Sequence, residues 1–309
     1  MKAIGEYNQD EEHMDDVIDF TAIPIADKEL WEKRIEDYNQ SLIQKNVGFN
    51  YNPEIKVTEI KCIKKGEEVK KEIIVHVIRD DFLEGGTKQR ALLPMLFSSQ
   101  EKEFIYAGPV CGFAQVALSY SIQQLKFQGK IATLFFAKTT ELHSLTKRAK
   151  DFGANLNPVS PGYLKNVQLE AEKYSKDPIR AQNTKLLPFG LYYPEFIWTL
   201  KTQIQNTLPK SLIDDPPKRL WLIIGSGTVF SALKEVWPKT HYLIVQVGKY
   251  VNEKMLKNVN YTVYIAPESF ESSSKTPPPY PSASSYDAKI WQFISEHGQD
   301  GDYIWNVAG

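Results

Sequence analysis

The residues most able to do chemistry in this chain lie in VIRDDFLEGGTKQRALLPML (Val77–Leu96). An apolar run ends there in Arg79-Asp80-Asp81, and Gly85-Gly86-Thr87 leads into Lys88. A lysine held at a helix start and partly desolvated can keep its amine neutral, ready to condense with an aldehyde. Paired glycines let backbone and a bound group approach closely. Most lysines are solvated cations on amphipathic helices, so it is the surrounding spacing that singles out Lys88.

A second stretch suits an anion. IIGSGTVFSAL (Ile223–Leu233) reads as strand, Gly225-Ser226-Gly227-Thr228, then helix. Backbone N–H groups at such a helix start, aided by the Ser226 and Thr228 hydroxyls, make a phosphate cradle. A dinucleotide reading fits less well, because Phe230 or Ser231 stands where a third glycine belongs. In addition, Gln246-Val247-Gly248-Lys249 offers no acid for a ribose hydroxyl. A third stretch, SSYDAKIWQFI followed by GDYIWNVAG, places Tyr286 and Asp287 before a helix and a closing strand.

Together these stretches resemble the pyridoxal-phosphate enzymes of the tryptophan synthase β-like fold (fold type II), nearest the 1-aminocyclopropane-1-carboxylate deaminase and D-cysteine desulfhydrase family. In that family a strand ending in Arg-Asp-Asp precedes Gly-Gly-Asn-Lys-x-Arg-x-Leu. Here Gly85 to Leu92 match, with Thr87 in place of Asn. The resemblance covers residues 70–309 and implies pyridoxal 5'-phosphate on Lys88, with its phosphate at Gly225, Ser226, Gly227 and Thr228. It makes Tyr286 an active-site tyrosine and sets Asp287 against the pyridine nitrogen, where a carboxylate would strengthen the ring as an electron sink. The family's usual His-Thr-Gly-Gly ending reads Asn306-Val307-Ala308-Gly309, and Val307 cannot hydrogen-bond the ring. Family members grip the substrate carboxylate with a Ser-Asn-His or Ser-Asn-Gln loop. Gly112, Phe113, Ala114 and Gln115 occupy that place here, with backbone amides as the remaining donors. The implied activity is deamination, β-elimination or β-replacement on an amino acid or amine, with a bulky or unusual substrate. A homodimer is implied as well.

The elements that must position these residues follow from periodicity. Ala26–Asn46 spaces Leu30, Ile35, Tyr38 and Leu42 along one helical face. Two strands are predicted around Lys65-Gly66-Glu67, and Thr87 is a candidate cap for the helix carrying Lys88. From Glu103 to Gly153, and again from Arg219 to Gly248, strands and helices alternate, as parallel sheets covered by helices require. The expected fold is α/β, with two parallel-sheet, Rossmann-like subdomains and the cofactor cleft between them. Residues 1–56 form a polar lead-in with a helix. Residues 57–97 and 155–309 form a large cofactor-binding domain, and 98–154 a small βαβ domain. The proline- and serine-rich Lys275–Ser285 reads as an ordered loop over the site, since a helix and a strand still follow it.

Composition narrows the classes. With 309 residues, 42% hydrophobic, and a net charge of -1, nothing calls for nucleic acid or an anionic membrane. No apolar run is long enough to span a bilayer. Two cysteines imply no disulfide framework, and the expected location is the cytoplasm. The five histidines lack metal-ligand spacing, so no metal is expected. Cys111 could serve as a helix-start nucleophile or simply be a small buried side chain. Two other functions compete. Asp80-Asp81 followed by Gly85-Gly86-Thr87 also looks like a diphosphoribose-binding loop of a phosphoribosyltransferase. A non-catalytic binding protein on the same fold would equally explain the altered Gly112–Gln115 loop.

Overall fold

A computed structural model describes residues 17–44, 52–65, 71–248 and 251–309. The expected turn at Gly66-Glu67 and the first part of the lead-in lie outside the described residues. Within them, α1 (Ile25–Gln44) follows the predicted helical face, burying Ile35 and Tyr38 while Leu30 stays exposed. The antiparallel strands β1 (Val57–Ile63) and β2 (Glu72–Arg79) come next. β2 becomes fully buried toward its end, and α2 (Gln89–Ser98) starts one residue after Lys88.

A regular alternation follows: β3 (Glu103–Ala107), α3 (Ala114–Gln124), β4 (Ile131–Ala137), α4 (Ser144–Asp151), β5 (Asn155–Val159), α5 (Leu164–Ser175) and β6 (Thr184–Leu187). These four strands form one wholly parallel sheet in the order β5-β4-β3-β6. β5 and β6 were not foreseen as strands. Their pairing with β4 and β3 carries this sheet to residue 187, past the boundary expected at residue 154. The reason is physical: β5 contains Pro158 and has no fully buried residue, so it lacks the apolar signature of an inner strand.

The chain then forms α6 (Pro194–Gln205), α7 (Lys210–Asp214), β7 (Arg219–Ile224), α8 (Thr228–Val236), β8 (His241–Gln246), β9 (Asn260–Ile265), α9 (Trp291–His297) and β10 (Tyr303–Asn306). The second sheet has the order β1-β2-β10-β7-β8-β9, parallel except at the β1 edge. The run Leu220–Ile224 of β7 is buried throughout, as an inner parallel strand demands. Sites in such sheets form beyond the carboxyl ends of strands, where the connections part. Here β2, β10 and β7 are neighbours, and Lys88, Val307 and Gly225 all follow their carboxyl ends.

A buried ion pair braces this region. Arg90, on α2, meets Asp80 at 2.7 Å, with both side chains removed from solvent. The same guanidinium donates to Asn52 Oδ1 at 2.6 Å, the Pro53 carbonyl at 2.9 Å and Thr207 Oγ1 at 3.2 Å. The next acid, Asp81, receives two bonds from Arg79, at 2.7 and 2.6 Å. No helix among the described residues is long and apolar enough to cross a membrane.

Candidate functional site

Lys88 sits in the last turn before α2, with helical backbone angles and no side-chain cap on the helix. Thr87 therefore does not serve as the predicted cap. Its N–H donates to the Val307 carbonyl at 2.9 Å, and its hydroxyl accepts the indole N–H of Trp305 at 2.9 Å. The residue that departs from the family pattern is thus occupied in tying the lysine turn to β10. Gly86 shows why glycine is required just before it. Its φ is +61°, and a Cβ there would lie 2.5 Å from the Val307 carbonyl and 3.3 Å from the Phe113 ring.

The lysine is half-buried, and desolvation brings its ammonium down from 10.5 to about 8 against the pull of Asp287. A substantial neutral fraction near neutral pH is what a lysine nucleophile needs. Asp287 is buried in the short helical turn after Tyr286, and burial pushes its carboxyl from 3.8 up to about 8. One oxygen, Oδ2, accepts the Ala308 N–H at 3.2 Å, while Oδ1 is buried with no hydrogen-bond partner. A buried carboxylate oxygen without a partner is costly, and a ring N–H is one group that would satisfy it. Tyr286 packs on the other loop: a Cβ added to Gly225 would sit 3.3 Å from its hydroxyl. Burial first, then Asp287, raises its pKa well above the ordinary phenol value, so the phenol stays protonated.

In the loop Gly225–Thr228, Gly227 is left-handed (φ +80°) and caps α8, with Met255 against its Cα. The two hydroxyls are linked, Ser226 Oγ lying 3.0 Å from Thr228 Oγ1. Thr228 donates its single proton to the Gly190 carbonyl at 2.7 Å. Within that pair Ser226 is then the donor to Thr228. In this arrangement the two hydroxyls bond to each other and, through Thr228, to Gly190, and the backbone N–H groups at the α8 start are the further donors open to an anion. Gly227→Asp should abolish retention of a bound phosphate, since it adds a carboxylate to that cradle. A left-handed Asp costs about 1–2 kcal/mol, and the flexible end of Met255 can swing aside, so the fold should survive. Equilibrium dialysis with inorganic phosphate and thermal unfolding check both halves.

The Gly112–Gln115 segment is divided. Phe113 faces Gly86 at the site, and Arg148 lies 5.6 Å from its ring centre. Gln115 is directed elsewhere: its amide donates to the Val110 carbonyl at 2.6 Å and accepts from Thr146 at 3.2 Å. It locks the loop, so Gly112, Phe113 and Ala114 leave backbone donors and an aromatic face where polar side chains were sought. Cys111 is buried, and desolvation together with Glu271 raises its thiol to about 11, which removes it as a nucleophile. Asp80 and Asp81 are each spent on an arginine, so they offer nothing to a diphosphoribose. No group of three or more metal-ligating side chains forms among the described residues.

The segment Lys275–Ser285 runs alongside β10. Asn306 donates to the Pro281 carbonyl at 2.8 Å and accepts from Ser282 at 2.8 Å, and the Ala283 N–H reaches the Ala308 carbonyl at 2.9 Å. Asn306, which stands where the closing pattern begins with His, thereby fixes the loop. Sequence reasoning missed this, and it missed the turn at Gly190. Only the left-handed glycine hinted at the second, and glycines serve turns generally.

No protein-family model matches the sequence. No curated protein matches it either. Solved structures do. An ACC deaminase homologue superposes with a TM-score of 0.66 at 14% identity, over 84% of this chain and 90% of that one. The diaminopropionate ammonia lyase of Escherichia coli, in apo form, gives 0.57 at 14% identity, over 92% and 87%. The processed form of threonine deaminase isoform 2 from Solanum lycopersicum gives 0.54 at 13%, over 76% and 74%. The chain has the tryptophan synthase β-like fold that its motifs led one to expect.

Proposed function

We propose that this chain is a pyridoxal-phosphate-dependent enzyme of the lyase or deaminase kind, acting on an amino acid or amine. The observation that carries the proposal is the pairing of Lys88, its pKa lowered toward neutrality, with Asp287, which keeps one buried oxygen unpartnered. The residues fit the cofactor: an amine for its aldehyde, a carboxylate for its ring nitrogen, and a helix-start loop, Gly225–Thr228, for its phosphate. When bound, pyridoxal phosphate supplies an electron sink for a carbanion at the substrate α-carbon. Lys88 would hold the cofactor and then carry the α-proton. Asp287 would stabilise the protonated ring nitrogen, and Tyr286 would pack beside the phosphate loop. Residues Gly112, Phe113 and Ala114 would border the substrate. Reduction with borohydride followed by peptide mapping should label Lys88. Label on another lysine, or a colourless protein that takes up no added cofactor, would overturn the proposal and favour a non-catalytic binding protein. A cytoplasmic homodimer belongs to the same reading.

The substrate side of the proposal is narrower than the family's. Small free carboxylates need firm polar contacts, and two lost side-chain hydrogen bonds cost about 1–3 kcal/mol each. With Gln115 turned inward, a roomier, more apolar mouth favours a bulkier substrate. Assays with 1-aminocyclopropane-1-carboxylate and D-cysteine should show turnover at least about a hundredfold below ordinary enzyme rates. Efficient turnover of either would refute this.

Asp287→Asn tests the ring partner. The variant should keep its colour but exchange the substrate α-proton about a hundredfold more slowly, because a neutral amide stabilises the protonated ring less. Stability gives an independent reading. A carboxyl raised from 3.8 to about 8 on folding weakens the cofactor-free fold as pH climbs from 3.8 toward 8. The variant, which cannot ionise, should therefore match wild type at pH 4 and melt higher than it at pH 7. Equal melting curves at both pH values would show that Asp287 is not held neutral.

A further inference from the structure

The turn Phe189-Gly190-Leu191 carries the chain out of the four-stranded sheet after β6 and lies against the loop assigned to phosphate. Its backbone is unusual. Gly190 has φ +67° and Leu191 has φ +61°, and a left-handed leucine persists only where its surroundings hold it there. Gly190 is held from both sides. Its N–H donates to the hydroxyl of Tyr106, at the end of β3, at 3.3 Å. Its carbonyl accepts from Thr228 at 2.7 Å, and a Cβ on it would lie 2.1 Å from the Cβ of Ser226. One residue thus joins the four-stranded sheet to the Gly225–Thr228 loop, in contact too close for any other side chain.

We propose that Tyr106, acting through Gly190 and Thr228, is a positioning residue for the Gly225–Thr228 loop and aligns its N–H groups on a phosphate ester. This rests on the assignment of that loop to the cofactor phosphate. Tyr106 touches neither reacting atoms nor phosphate. Its effect runs through one residue, Gly190: the hydroxyl receives the N–H of the peptide unit before its Cα, and the carbonyl of the unit after it orients the Thr228 hydroxyl. Desolvation raises the Tyr106 phenol to about 12, so it remains a neutral acceptor across the working pH range.

Tyr106→Phe keeps the buried ring and removes only the hydroxyl that accepts the Gly190 N–H. Binding of pyridoxal 5'-phosphate and of pyridoxal, which lacks the phosphate, is measured by absorbance on wild type and variant, together with the ³¹P resonance of the bound ester. The variant should bind the phosphorylated form about tenfold more weakly, the effect of roughly one lost hydrogen bond, and bind pyridoxal as before. Its ³¹P resonance should shift. An unchanged ratio of the two affinities, or equal weakening of both ligands as general destabilisation would cause, overturns the proposal. Wild type separates the two levels of inference. If it shows no preference for the phosphorylated form, the phosphate assignment itself falls. If it prefers that form and the variant does so equally, only the role of Tyr106 falls.

Discussion

Replacing Lys88 with alanine should leave a folded protein that no longer forms a borohydride-reducible adduct and exchanges a substrate α-proton about 10²–10⁴-fold more slowly. The half-buried side chain is a poor contributor to packing, and its desolvated charge opposes folding as pH falls from 10.5 toward 8, so alanine should cost little stability below pH 8. Lys88→Arg should not rescue the activity, because a guanidinium stays charged at any working pH and cannot act as the neutral nucleophile. Exchange measured by deuterium incorporation within tenfold of wild type in either variant would refute the assignment.

Arg90→Ala should have the largest effect on stability, about 3–5 kcal/mol, because it strands the buried carboxylate of Asp80. It also frees the Asn52-Pro53 segment and Thr207 from a common donor. Urea unfolding should show a lower midpoint with an unchanged slope, the pattern of lost stability without a change in cooperativity. A loss below about 1 kcal/mol would make the pair equivalent to a surface salt bridge, contrary to its burial. The outcome also bears on chemistry: a large loss assigns Asp80 to structure and leaves a diphosphoribose reading of Asp80-Asp81 without the first of its acids.

Where residues close together in sequence set local geometry, the reading from sequence was direct. The Gly85–Lys88 turn and the Gly225–Thr228 loop each sit at an element boundary marked by glycines after an apolar run, and the Tyr286–Asp287 pair, singled out by the resemblance, begins a short helical turn. Tertiary contacts were not legible. Gln115 looked like a residual polar contact for substrate until its bonds to Val110 and Thr146 were seen. Thr87 looked like a cap until Trp305 took its hydroxyl. Strands β5 and β6 were hard to read because neither is buried along most of its length. The bond from Thr228 depended on a carbonyl from a distant turn, Gly190, which no local pattern announces.

The position of β10 bears on how the molecule is made. This strand pairs with β2 on one side and β7 on the other, so it fills the middle of the six-stranded sheet. The four-stranded sheet draws all its strands from Glu103–Leu187 and can assemble while the chain is still being synthesised. The larger one must wait, with β2 and β7 presenting unpaired edges that other chains could join. The Val307 carbonyl that accepts the Thr87 N–H and the Ala308 N–H that donates to Asp287 arrive only with that strand. A ribosome-stalled or proteolytically trimmed chain lacking residues 303–309 would therefore be an aggregation-prone half-sheet without the contacts that hold Thr87 and Asp287, so completion of the proposed site and protection from aggregation are acquired in the same folding step.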